Sequence, residues 1–150
     1  MLIGENAIND AFNSWLEKNG FTARIHGLEN EFYWGSETDT IAYCFVHPER
    51  FIEDFTYVCN DIGLDYEIDI FWLSFYHELG HSLTHELITD EEIWEADFLS
   101  GMEYYYCNRE YYATEWAVNF INRNIDKVCE LMEMTKPAIM QFFTVNNIEI

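Results

Sequence analysis

Basic residues are nearly missing from this chain. Seven Lys and Arg stand against 28 Asp and Glu, a formal net charge of −21. From Phe51 through Asn108 there is no Lys or Arg at all, while 14 carboxylates fall in that window. A surface without cations cannot displace the counterions of phosphate, which excludes direct nucleic-acid binding and attachment to anionic lipid. The same field attracts cations and basic proteins, so the partner it favours is a basic protein; solubility, with adaptation to salt, is the plainer reason for such charge. Long apolar runs are also missing. The longest, Ile70 to Tyr76, stops at His77, far short of a membrane span. The start, Met-Leu-Ile-Gly-Glu-Asn, has no basic segment leading into an apolar one, so no secretory signal is expected and the expected location is cytoplasmic. Cys44, Cys59, Cys107 and Cys129 form no Cys-x-x-Cys pair and read as buried free thiols of a reducing compartment. No internal repeat, low-complexity tract or shift in composition marks a boundary, so residues 1–150 read as a single domain.

The residues present suffice for a core: 49% are hydrophobic and 18% aromatic. Ile8, Ala11, Phe12, Trp15 and Leu16 recur at helical spacing before a stop at Asn19-Gly20. Residues 23–26, 32–34 and 41–46 are short and rich in β-formers, with Gly27, Gly35 and Ser36 between them, which predicts two or three strands. Pro48 opens a helix that Gly63 ends. The next helix covers about 69–87. Thr89-Asp90-Glu91-Glu92 reads as a capping box for another over about 90–106. Asn108 is placed to cap a further helix, to about residue 122. Beyond Asn124 one or two more helices are expected, with Lys136-Pro137 as the break between them. The expected class is α+β and mostly helical, with a small sheet.

The most informative stretch is His77-Glu78-Leu79-Gly80-His81. A helix advances about 100° and 1.5 Å per residue, so side chains four apart share a face. Both imidazoles can therefore reach one small cation, and Zn²⁺ suits nitrogen and oxygen ligands in tetrahedral array. Glu78 is rotated off that pair, free to take a proton from a water activated by the metal. This spacing recurs in zinc peptidases for that reason. The surroundings agree: Phe75, Leu79 and Leu83 are apolar, Ser74, Gly80 and Ser82 are small. A plain buried helix with two satisfied histidines is the alternative.

Two histidines hold zinc weakly, and a catalytic site has three protein ligands and an open position. His85, Glu92, Glu95, Asp97, Glu110 and Glu115 are the nearby donors. His85 lies on the same helix, where three ligands in a row cannot surround a tetrahedral ion. Glu92 belongs to the capping box. Glu95 and Asp97 fit a solvated face. Glu110 heads a stripe with Ala113, Trp116 or Ala117, and Phe120, and the small Ala113 and Ala117 let its helix approach the pentad helix closely. Glu115 points about 140° away. Glu110 is the favoured third ligand, and a partner for its own helix dipole is the other reading of it.

The pentad, with Leu83 and His85, resembles the ImmA/IrrE-type metallopeptidases. So does Glu110-x-x-Ala113-x-x-Trp116-Ala117-x-x-Phe120-Ile121, with Trp116 where a Phe is usual. The resemblance runs from about Phe71 to Asn122. It implies a compact gluzincin-like (zincin) α+β domain of phage or mobile-element type, with Zn²⁺ on His77, His81 and a downstream glutamate. It implies cleavage of a protein substrate such as a repressor, although no helix-turn-helix module is evident here.

On this reading Glu78 is the catalytic base, and the strand over 41–46 is placed to hold a peptide extended by edge pairing. His85, Tyr104, Tyr105, Tyr106, Tyr111 and Tyr112 are the groups able to stabilise an oxyanion. A rival is an acidic binding protein or inhibitor, mimicking nucleic acid toward a basic partner on a metallopeptidase scaffold. A zinc hydrolase of small amides is a third.

Overall fold

The computed structural model describes residues 2–148. Among these, α1 (Glu5–Lys18) leads into a three-stranded sheet, β1 (Arg24–Leu28), β2 (Tyr33–Gly35) and β3 (Thr40–Tyr43). Helices α2 (Glu49–Ile62), α3 (Ile70–Thr84), α4 (Asp90–Ala96), α5 (Gly101–Tyr106), α6 (Asn108–Arg123) and α7 (Ile125–Val145) come next, with a 3-10 turn, His85–Leu87, after α3. The architecture is α+β and predominantly helical. No helix of the described residues is long and apolar enough to cross a membrane.

The sheet is mixed, in the order β1-β3-β2, with β1 parallel and β2 antiparallel to β3. The strand expected to offer an edge to substrate is therefore central and paired on both sides. β1 and β2 are the outer strands, and Tyr33 and Trp34 of β2 border a cleft. The parallel β1–β3 pairing puts the connection through β2 on one side, which no local pattern in residues 41–46 could reveal.

One apolar core joins the layers. Phe12, Trp15 and Leu16 of α1 meet Phe71, Phe75 and Tyr76 of α3, Ile41 and Tyr43 of β3, and Leu131 and Phe142 of α7. Each such side chain contributes about 1.5–3 kcal/mol when withdrawn from water. From Phe71 through Gly80, α3 is buried on every side, as its unbroken apolar run requires. The Asp69 carboxylate starts it by accepting from the Phe71 amide at 2.9 Å.

Three helix expectations need correction. The stretch after the Thr89 capping box is two short helices, with residues 97–100 between them. Trp94, Phe98 and Leu99 are exposed there, so no buried face carries one helix across the gap. Asn108 begins α6 rather than capping it: Cys107 holds the cap position, and the Asn108 amide donates to Glu92. Pro137 lies inside a single α7. Val128, Leu131, Thr135, Ile139 and Phe142 pin one face of α7 to the core on both sides of the proline. Pro137 and Glu133, whose carbonyl it leaves free, face solvent. Among the cysteines, all free, Cys44 and Cys59 are buried, but Cys107 is half-buried and Cys129 exposed.

Candidate metal centre

Helix α3 presents His77, Glu78 and His81 together, with donor atoms all within 4.8 Å of one another, a group able to hold a metal ion. The helix that crosses it is α6, and the closeness of the crossing is set by Gly80. A Cβ at Gly80 would lie 2.3 Å from the Ala113 carbonyl oxygen. Only glycine admits α6 at this distance.

That approach delivers Glu110. Its Oε1 lies 3.1 Å from Nε2 of His77 and 3.2 Å from Nε2 of His81, and the residue is only 3% exposed. The hydroxyl of Thr114, one turn further along α6, donates to the Glu110 carbonyl at 2.9 Å and stands 2.9 Å from Nδ1 of His77. A hydroxyl has one proton to give. Nδ1 of His77 must therefore be the donor to Thr114, which leaves the lone pair of Nε2 directed at Glu110. A carboxylate oxygen and two imidazole nitrogens thus converge in a buried place where one of them must bear a proton unless a cation sits among them. Such a donor set suits a divalent metal.

The titration tendencies match. Burial alone would raise the Glu110 carboxyl, but with no cation among them the imidazoles of His77 and His81, once protonated, donate to it and hold it well below the usual range. Burial would lower His81, and its bond to Glu110 with the charges of Glu78 and Glu110 raises it instead. Glu78 differs: burial lifts its carboxyl, only partly countered by His77 and His81. Its Oε2 is 3.8 Å from Nε2 of His77, close to the cluster without a hydrogen bond to it.

Two supports escaped the sequence reading. Arg109 donates from Nε to the second oxygen of Glu110 at 2.6 Å, and from Nη1 to Asp97 at 2.8 Å and the Ile93 carbonyl at 3.1 Å. It turns the Glu110 carboxylate so that Oε1 alone faces the histidines. A signal existed: Arg109 is the first cation after the long acidic window. Thr114 gave none, because a threonine inside a helix has no distinguishing local pattern.

The group opens into a cleft of about 660 Å³. Trp34 and His85, whose rings are 5.0 Å apart, line it together with Tyr104, Tyr105 and Arg109. An aromatic wall also lines it, with Phe55 against His77 and a parallel stack of Phe32, His47 and Phe51. Trp34 is fixed by its indole donating to Asp39 at 2.8 Å, and Ser82 of α3 donates to the same carboxylate oxygen at 2.7 Å. The β2–β3 turn is thereby tied to the pentad helix.

The other donors fall elsewhere. His85 borders the cleft outside the cluster. Glu92 completes the capping box with Thr89, Glu95 is exposed, and Asp97 serves Arg109. Glu115 borders a different hollow, with Trp116 and Arg123. No protein-family model matches the chain, and neither the curated proteins nor the solved structures contain a match to it.

Proposed function

We propose that this chain is a zinc-dependent metallopeptidase of the ImmA/IrrE type, cleaving a protein substrate in the cleft above α3. One observation carries the reading: Nε2 of His77, Nε2 of His81 and Oε1 of Glu110 meet at 3.1–3.2 Å beside an uncommitted, buried Glu78. His77, His81 and Glu110 would hold the ion, and a zinc ion bound there supplies Lewis acidity toward water and a carbonyl oxygen. Glu78 accepts the proton of the attacking water on its carboxylate and passes it to the departing amine nitrogen. Its raised affinity for a proton, from burial, suits both halves of that task. Thr114 and Arg109 orient the ligands.

The free edge of β2, with Tyr33 and Trp34, offers main-chain groups to an extended peptide, and the aromatic wall offers apolar surface to its side chains. Among the groups able to stabilise an oxyanion, His85, Tyr104 and Tyr105 border the cleft. Tyr106 is instead engaged with Asp61. Resemblance over the pentad and the α6 motif supports a regulatory protein as substrate.

The acidic-binder reading rests on the cation-free window. The discriminating experiment is peptide-library hydrolysis by zinc-loaded protein, with Glu78→Gln as control. Cleavage in wild type and its loss in a variant that keeps its zinc supports the peptidase. A biological effect surviving intact in Glu78→Gln supports the binder.

A further inference from the structure

Beside the cleft lies a surface that the chemistry above does not use. Between the end of α3 and the start of α5, Leu87 is 67% exposed, Trp94 64% and Phe98 72%, with Leu99 also exposed. Trp94 and Phe98 are one helical turn apart in sequence, and their rings sit edge to face at 4.9 Å. Solvent-facing aromatics of this size, paired rather than scattered, mark a contact surface. Glu86, Asp90, Glu91, Glu95 and Asp97 stand exposed among them. Residues 86–100 contain no cation; Asp97 is paired with Arg109, whose guanidinium is turned inward onto Glu110 as well, while Glu86, Asp90, Glu91 and Glu95 have no ion pair among the described residues. The surface is continuous with the cleft, since Ile93 and Asp97 border it.

Charge decides the occupant. A second copy of a chain carrying −21 would bring like fields together, and anionic lipid or nucleic acid is repelled in the same way. We propose that Trp94, Phe98 and Leu99, within their acidic surround, dock a cationic segment with apolar side chains on the protein substrate, outside the cleft that receives the cleaved bond. The docking role rests on the peptidase reading for its purpose, not for its physics. The aromatic pair gives the contact its hold, as large rings do at the centres of interfaces, and the carboxylates give it speed and sign. Because Asp97 and the Ile93 carbonyl also grip Arg109, the docked segment lies against the residues that orient Glu110.

The test uses an amphipathic helical peptide of Leu and Lys, and a control of equal charge with every Leu replaced by Ser. Titration is done calorimetrically against Glu78→Gln protein, so that the probe is not hydrolysed. Both aromatics are exposed, so Trp94→Ser/Phe98→Ser leaves the core untouched. The Leu/Lys peptide is expected to bind one to one, more weakly in high salt, and roughly tenfold or more weakly to the double variant. The Ser/Lys control is expected to bind weakly and equally to both. Equal binding of the Leu/Lys peptide to both proteins would overturn the proposal. So would a control as tight as the Leu/Lys peptide, self-association lost in the double variant, or binding to zwitterionic vesicles through Trp94 and Phe98. Short-peptide hydrolysis by wild type and by the double variant separates the two claims: hydrolysis by both proteins, with Leu/Lys docking no weaker in the double variant, overturns only this surface. Docking without any hydrolysis overturns only the peptidase.

Discussion

A single missing atom sets the geometry of the centre. Gly80 lets the Ala113 carbonyl sit where a Cβ would be, and that closeness brings Glu110 to the histidines. Gly80→Ala must push α6 away, and we expect it to cost about 3 kcal/mol in denaturant unfolding, with metal affinity falling alongside. The supporting residues act more gently. Thr114→Val removes the acceptor that fixes the His77 ring, and we expect zinc affinity in chelator competition to drop about 10- to 100-fold, with recovery in Thr114→Ser. Glu110 was legible in the sequence as a carboxylate at the head of a small-residue stripe, and His77, Glu78 and His81 by their spacing. Arg109 and Thr114 were not, because their roles depend on pairings between α6 and distant segments. A hydrogen bond spanning 37 residues leaves no local trace.

At the scale of elements, periodicity served where one face is buried and failed where none is. α1, α2 and α3 begin and end near their sequence signals, with Asp69, Gly63 and the Asn19-Gly20 pair at their ends. The split between α4 and α5 was hidden because the capping box marks a start and nothing marks the early stop. Pro137 misled in the opposite direction: its local cost, about 3 kcal/mol in a helix interior, is outweighed by α7 side chains packed on either side of it. Because Pro137 is exposed and its neighbours hold the helix, Pro137→Ala is expected to stabilise the fold by about 1–2 kcal/mol in urea unfolding. Unchanged or lowered stability would mean that the backbone around Glu133 has already adapted to the proline. The order of the strands was beyond local reading, since it is fixed by the parallel pairing of β1 with β3.

Across the whole molecule, the net charge of −21 opposes folding while it favours cationic partners. Screening should relieve that repulsion. We expect the thermal midpoint to rise by several degrees between about 10 mM and about 500 mM NaCl, and a flat or falling midpoint would show that the carboxylates are not strained by their own field. The same charge enriches divalent cations near a cleft that ends in His77, His81 and Glu110. The most direct measurement is elemental zinc per chain in the wild type, Glu78→Gln and Glu110→Gln, each saturated and then freed of loose metal. We expect close to one zinc in the first two and little in the third. Zinc held by Glu110→Gln but lost from Glu78→Gln would reverse the roles given to the two carboxylates. No zinc in any of the three would contradict the metal centre itself.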